Sequence, residues 1–257
     1  MSSSGKSGKQ WLKAELHAHC CLDPDDSRFC RYTPEQLIAG AAGLGYEVLS
    51  ITCHNLDVWT ESLSEYARGL GITLIPGMEV TAEITRHVLV YNFRTGAENL
   101  DTLEKIRSRS REDTLVVAPH AFFPGRNCLR GMLTKNPDVF DAIEHSGFQV
   151  RGLDFNRRSE RVARETGKPV VGSGDVHFLW QLGRTFTRVY SKPDVQSVLG
   201  AIKRGFVRVE VSPLSWHEAA AWWAIAIWRK TFSGHSPRSD EIKDGRGFGA
   251  AQEGMKS

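Results

Sequence analysis

The chain has 257 residues, 40% of them hydrophobic, which is enough for one large domain or two small ones and excludes a disordered or fibrous protein. Lysine and arginine number 33 against 30 aspartate and glutamate, and a net charge of +3 gives no bulk attraction to nucleic acid or membrane. Any phosphate recognition must therefore be local. No apolar run approaches the roughly 18 residues that a bilayer span requires, and Met1–Gln10 lacks an apolar signal region, so a cytoplasmic protein is expected. Five irregularly spaced cysteines read as reduced thiols.

The first strand is predicted from about Leu12 to Ala18, within Leu16-His17-Ala18-His19 at its end. Thr33-Pro34-Glu35 offers an N-cap, a proline at the first helical position and an early acid, so a helix should run to about Leu44, where Gly43 and Gly45 stop it. Val48–Thr52 is a second strand ending near His54, followed by a helix to about Leu70. Ile72–Ile75 passes through Pro76-Gly77 into Met78-Glu79-Val80, a bent third strand, with His87–Tyr91 as its neighbour. A helix over Glu98–Glu112 leads to a buried strand, Leu115–Ala118, ending at Pro119-His120. A short strand near Ala142–Glu144, a charged helix over Asn156–Glu165 and a strand from Pro169 into Gly172–His177 follow. A helix over Asp194–Lys203 and a strand over Phe206–Val211 close the globular part, and no internal repeat is present. Strands alternating with helices predict a parallel α/β barrel. Six or seven such units in roughly 200 residues fall short of the about 250 of an eightfold barrel. A missing or degenerate unit is expected.

The domain reading is a flexible tail over 1–10, a barrel over 11–211, a Trp-rich helix over 212–232 and a flexible tail over 233–257. Ser215-Trp216-His217-Glu218 reads as a capping box for that helix. Its apolar run, Ala219 to Trp228, is too short to span a membrane. Packing of the 215–230 helix on the barrel, or at a homo-oligomer contact, is expected, with a membrane-surface helix as the alternative.

His17 and His19 stand two apart on one strand, so both imidazoles face the same way and can reach one metal ion. His54, Glu79, His87, His120, Asp175 and His177 lie in or beside further strand ends. In an α/β barrel such residues converge on one rim, and a metal site explains this many nitrogen and oxygen donors. Glu144 also falls near a strand end, in contact with the site or its substrate, while the neighbouring His145 should face the opposite way. Arg126, Arg184 and Arg188 follow the motifs closely enough to serve as phosphate-binding groups. The loops Phe122–Lys135 and Phe178–Thr187 are expected to carry specificity.

Glu15-Leu16-His17-Ala18-His19, Ile51-Thr52-Cys53-His54-Asn55, Pro76-Gly77-Met78-Glu79, Ala118-Pro119-His120 and Gly172-Ser173-Gly174-Asp175-Val176-His177 resemble the successive motifs of the PHP (polymerase and histidinol phosphatase) domain family, in order, over about residues 12 to 190. The resemblance implies a distorted (β/α)7 TIM-like barrel, here with an extra C-terminal helix, and a trinuclear centre that hydrolyses phosphoesters. It implies that His17, His19, Glu79 and Asp175 hold one ion, and that Glu79 bridges to a second held by His87 and His120. An acidic residue after the first motif, with His54 and His177, would hold the third; spacing favours Asp25, then Asp23, then Asp26. Cys53 stands where relatives often have Asp and should pack beside the site, with thiolate ligation as the alternative.

Imidazole and carboxylate donors suit three divalent ions, Zn, Mn or Fe, without selecting among them. Metal-activated hydroxide would be the nucleophile, leaving no catalytic residue beyond the metal centre. The function implied is a metal-dependent phosphoesterase acting on a small phosphomonoester or a nucleotide-type phosphoester, with no extended nucleic-acid track. An amidohydrolase-like metal hydrolase and a catalytically silent metal-binding interaction module are the alternatives. The sequence contains no P-loop, dinucleotide glycine motif or Gly-x-Ser-x-Gly elbow.

Overall fold

In the computed structural model, which describes residues 8–93, 99–221 and 224, the apolar runs assemble into one nine-stranded sheet. In chain order the elements are β1 (Gln10–Glu15), α1 (Pro34–Gly43), β2 (Val48–Ile51), α2 (Glu61–Gly69), β3 (Thr73–Ala82), β4 (Arg86–Tyr91), α3 (Leu103–Arg109), β5 (Leu115–Ala118), α4 (Gly131–Lys135), β6 (Ala142–Ser146), α5 (Asn156–Thr166), β7 (Val170–Ser173), β8 (Thr185–Ser191), α6 (Val195–Lys203) and β9 (Val207–Val211). Helices begin where the sequence offers an acceptor for their free N–H groups: Thr33, Thr60, Thr102 and Asp194 cap α1, α2, α3 and α6. Thr33 and Gln36 complete a capping box, and Gly167, left-handed at φ 67°, ends α5.

The strand order is β7-β6-β5-β4-β3-β2-β1-β8-β9. β1, β2 and β3 are parallel, as are β5, β6 and β7, while β4 runs antiparallel between β3 and β5. Two reversals cancel, so β1, β2, β3, β5, β6 and β7 all point their carboxyl ends the same way. β8 pairs antiparallel with both β1 and β9.

The sheet nearly closes on itself. Gly172 on β7 donates its N–H to the Thr187 hydroxyl on β8 at 2.8 Å, and that hydroxyl donates to the Gly172 carbonyl at 2.7 Å. Glycine is required here, because a Cβ would stand 2.5 Å from Val209 Cγ1 and 3.0 Å from the Phe186 carbonyl oxygen. At the carboxyl end, Val176 N donates to the His17 carbonyl at 3.0 Å and His19 N to the Val176 carbonyl at 2.9 Å. The interior is filled by Leu12, Leu16, Val48, Ile75, Leu89, Tyr91, Leu115, Val117 and Val171, and Tyr91 donates its hydroxyl proton to the Leu16 carbonyl at 2.8 Å.

Three features depart from the sequence reading of a parallel α/β barrel. β3 and β4 form a hairpin with no intervening helix, so the sheet is a mixed α/β barrel and not a succession of identical β/α units. Thr185–Ser191, read in part as a loop, is a strand whose residues alternate buried and partly exposed. α4 and a 3₁₀ turn at Pro137–Val139 fill the connection after Phe122. Gln10, placed in the N-terminal tail, opens β1. Ser215 and Glu218 form the expected capping box: Glu218 N donates to Ser215 Oγ at 3.3 Å, and Ser215 N donates to Glu218 Oε2 at 2.8 Å. The rest of the 212–232 helix beyond Ala221, apart from Ala224, lies outside the described residues, as do the first seven residues and the 233–257 tail. Among the described residues no helix is long and apolar enough to cross a membrane.

Candidate metal centre

The six like-directed strands deliver their carboxyl ends to one rim, and the candidate ligands sit there. His17 and His19 follow β1, where Ala18 bridges to Val176 beyond β7. His54, just past β2, bridges to Glu79 on β3. His87 stands at the start of β4, opposite Thr81, because an antiparallel strand brings its beginning to the rim where its neighbours end. His120 follows β5, and Asp175 and His177 follow β7. His120 and Asp175 adopt left-handed backbone, φ 28° and 47°. Such conformations cost about 1–3 kcal/mol each and persist where surrounding structure imposes them, as at a functional site.

Glu79 is the hub. Its Oε2 lies 3.2 Å from His17 Nε2, 3.5 Å from His19 Nε2 and 3.2 Å from His54 Nε2. Its Oε1 lies 2.8 Å from His87 Nδ1 and 3.1 Å from His120 Nε2. One carboxylate thus faces two sets of imidazoles with different oxygens. Asp175 Oδ1 adds to the first set, 3.4 Å from both His17 Nε2 and His19 Nε2, and lies 3.5 Å from His177 Nδ1.

The acidic residues after the first motif are sorted by the loop that follows His19. Asp25, favoured by spacing, is exposed and outside the cluster; its backbone N–H donates to Asp23 Oδ1 at 2.9 Å. Asp23 is buried and takes His19 Nδ1 at 2.7 Å, His54 Nδ1 at 3.1 Å and the His54 backbone N–H at 2.9 Å. Asp26 Oδ2 lies 2.9 Å from His177 Nε2 and 3.6 Å from His54 Nδ1. The turn Asp23-Pro24-Asp25-Asp26 points its first and last carboxylates inward, a geometry that spacing alone does not reveal.

A second layer holds the imidazoles. Glu144 Oε1 accepts from His17 Nδ1 at 2.8 Å and from the Ser173 hydroxyl, while Oε2 accepts from His120 N at 2.6 Å. It therefore acts on the cluster through His17. Glu15, which the sequence reading did not single out, accepts the backbone N–H groups of Leu16 and His17 at 3.1 Å and of Gly174 at 2.9 Å with one oxygen, tying the β1 and β7 loops together. Its signal was a charge inside an otherwise buried strand. His145 faces away, bonded to Glu160 and Gln149.

Two of the three arginines are engaged away from the cluster. Arg184 pairs with Glu218, Arg188 packs over the Phe186 ring on the face of β8 opposite Thr187, and Arg126 is exposed. Cys53 packs against Cys20 with 3.5 Å between sulfurs, that hydrogen bond together with burial pushes its thiol well above the ordinary value, and it belongs to none of the ligand clusters among the described residues.

The electrostatics describe carboxylates in need of a cation. Burial alone favours neutral imidazoles, yet the carboxylates overcome it. His54 is pushed up to about 10 by Glu79 and Asp23, and His177 to about 9 by Asp175 and Asp26. His17 is held well above its ordinary value by Asp175, Glu79 and Glu144, and His120 by Cys128 and Glu79, again against burial. In the other direction, Asp23, Asp26, Glu79 and Asp175 are held below the usual carboxylate range by the facing imidazoles, although burial opposes this. Protons on the rings balance the buried negative charge; divalent cations are the other way to do so.

The donors fit such ions. Four overlapping groups have ligand atoms within 4.8 Å of one another: His19, Asp23, Asp26 and His54; His17, His19 and Glu79; His19, Asp175 and His177; His54, Glu79 and His87. His19 Nε2 is buried with no hydrogen-bond partner, 3.5 Å from a Glu79 oxygen and 3.4 Å from an Asp175 oxygen.

A profile described as PHP-associated matches residues 154–207, from the segment before α5 through the Asp175–His177 loop to the start of β9. On that match this segment of the chain is similar to the PHP-associated family. No curated protein sequence gave a match. The chain is similar in structure to PsfC from Pseudomonas syringae PB-5123, with a TM-score of 0.57 and 16% identity over 86% of this chain and 99% of that one. It is also similar to an amidohydrolase from Chromobacterium violaceum, with a TM-score of 0.50 and 14% identity over 81% and 96% of the two chains. At these identities the likeness is one of fold.

Proposed function

We propose that this chain is a PHP-domain metal-dependent phosphoesterase that hydrolyses a small phosphomonoester or nucleotide-type phosphoester at a centre of three divalent ions. The observation that carries this reading is the two-sided Glu79 carboxylate, with His17, His19 and His54 around one oxygen and His87 and His120 around the other. His17, His19, Glu79 and Asp175 would hold one ion, and Glu79, His87 and His120 the second. His54, His177 and Asp26 would hold the third, with Asp23 orienting His19 and His54. Divalent ions in these positions supply Lewis acidity toward phosphoryl oxygens and make water nucleophilic near neutral pH.

The chain's own residues do the positioning. Glu144 keeps a proton on His17 Nδ1 and so turns Nε2 toward Glu79 and Asp175. Glu15 fixes the backbone beneath His17 and Gly174. With Arg184 and Arg188 engaged elsewhere, most of the phosphoryl charge is left to the ions. An amidohydrolase-like enzyme would be expected to bridge its metals with a lysine, and the bridging position here is Glu79, with no lysine buried among the described residues.

The test is metal analysis of the purified chain beside a panel of phosphoesters, amides and lactones, with His17→Ala and Asp175→Ala as controls. Phosphoester turnover that falls with metal content in both variants is expected. Turnover confined to amides or lactones would overturn the reading, and a metal-loaded chain inert toward the whole panel would favour a silent binding module.

A further inference from the structure

A cavity of about 490 Å³ opens beside the cluster, and its inner end is formed by His120 and Asp175, two of the proposed ligands. Its lining is largely aromatic and aliphatic and includes Phe123, Phe148, Leu153, Phe155 and Trp216. The Phe123 and Phe155 rings meet at 5.2 Å, giving one wall a rigid aromatic surface. Trp216 comes from the helix that Ser215 caps, and this helix is tied to the barrel by the pairing of Glu218 with Arg184. The short apolar helix therefore has a role beside the centre.

Some polar groups on the wall are already engaged. Gln181 Oε1 accepts the backbone N–H groups of His177 and Phe178, each at 2.8 Å, Ser146 Oγ accepts that of Phe148 at 3.4 Å, and Asn127 contacts His87 and Cys128. Among the described lining residues none is lysine or arginine. A second phosphate placed here would find no cationic side chain to replace its water, whereas an apolar group gains about 25 cal/mol for each Å² it buries. The volume lies in the range of about 300–1,000 Å³ usual for organic ligands.

We infer that the substrate is a phosphomonoester of an apolar, ring-bearing alcohol whose leaving group fills this cavity, and that Trp216 determines this specificity; the inference rests on the phosphoesterase reading above. The phosphoryl group lies at the His120 and Asp175 end and the ring between the phenylalanines and Trp216.

The test compares kcat/KM of the metal-loaded full chain for 2-phenylethyl phosphate, ethyl phosphate and adenosine 5′-monophosphate. The first two have alcohols of similar acidity, so their ratio reads binding and not leaving-group reactivity. Binding of 1-naphthol, followed by its fluorescence, probes the cavity without hydrolysis. 2-Phenylethyl phosphate should exceed each of the others by about tenfold or more. Trp216→Ala and, independently, Phe148→Ala should narrow that ratio and weaken 1-naphthol binding by about tenfold, while Trp11→Ala, on the far strand surface against Tyr190, should change neither. Equal rates for the phenylethyl and ethyl esters, with no 1-naphthol binding, would overturn the inference and leave the phosphoesterase reading standing. Trp216-dependent 1-naphthol binding without turnover of any phosphoester would uphold the apolar cavity and overturn the phosphoesterase reading.

Discussion

Glu144→Gln isolates what the second layer contributes, since it changes one atom of a buried side chain and removes no volume. Glu144 accepts three protons: from His17 Nδ1 and the Ser173 hydroxyl on one oxygen, and from His120 N on the other. An amide accepts at only one end. If its oxygen faces His17, its NH₂ meets the His120 N–H, and that buried donor loses its acceptor at a cost of about 1–3 kcal/mol. If it is turned the other way, His17 Nδ1 faces a donor, and the tautomer that presents Nε2 toward Glu79 and Asp175 is no longer held. Loss of such an outer partner typically lowers metal affinity or activity by about 10–100-fold, equivalent to about 1.4–2.7 kcal/mol. The expected result is a folded protein, unchanged in circular dichroism, that retains less metal when equilibrated against a series of metal–chelator buffers. A variant that folds normally and binds metal within about twofold of the parent would refute the reasoning, because Glu144 would then be a passive core carboxylate.

Asp26→Asn should remove metal at the position shared with His54 and His177, whereas Asp25→Asn, at an exposed residue, should match the parent in metal stoichiometry and turnover; the reverse order would restore the spacing-based assignment. In the metal-stripped protein, His54 and His177 have folded values of about 10 and about 9 against an ordinary 6.5. Their contribution to stability is complete below about pH 6.5 and is lost as pH rises through 9 to 10, while that of the depressed Asp23, Glu79 and Asp175 is complete above about pH 4.5 and is lost as pH falls. Calorimetry should therefore find the highest Tm of the stripped protein between about pH 5 and 6.5, with the gain on adding metal larger at pH 9 than at pH 6; a gain that shrinks with pH would contradict this. Gly172→Ala places a methyl group against Val209 and the Phe186 carbonyl and should cost about 1–3 kcal/mol in urea unfolding, and a neutral result would mean that β7 and β9 can separate freely.

Much of the centre was legible from residue types and their position at strand ends. His17 and His19 share a face because strand side chains repeat every second residue, His54, His120, Asp175 and His177 lie just past strand ends, and Glu79 lies within β3. The helix starts at Thr33, Asp194 and Ser215 were likewise local, since a cap is decided within four residues. What followed from tertiary structure alone was everything that depends on how distant segments meet. The membership of Thr185–Ser191 in the sheet, beside β1, does not follow from local pattern, because that pairing joins distant segments; the antiparallel course of β4, which carries His87 to the rim, follows instead from its short connection to β3. The loop conformation turned Asp23 and Asp26 inward and left Asp25 in solvent; the Glu218 pairing drew Arg184 away; and the strand alternation put Arg188 on the outer face. Composition and order along the chain determined which donors were available and near which strand ends, while packing decided which of them meet and that the Ser215 helix covers the cavity beside them, because those contacts join segments that no local pattern links.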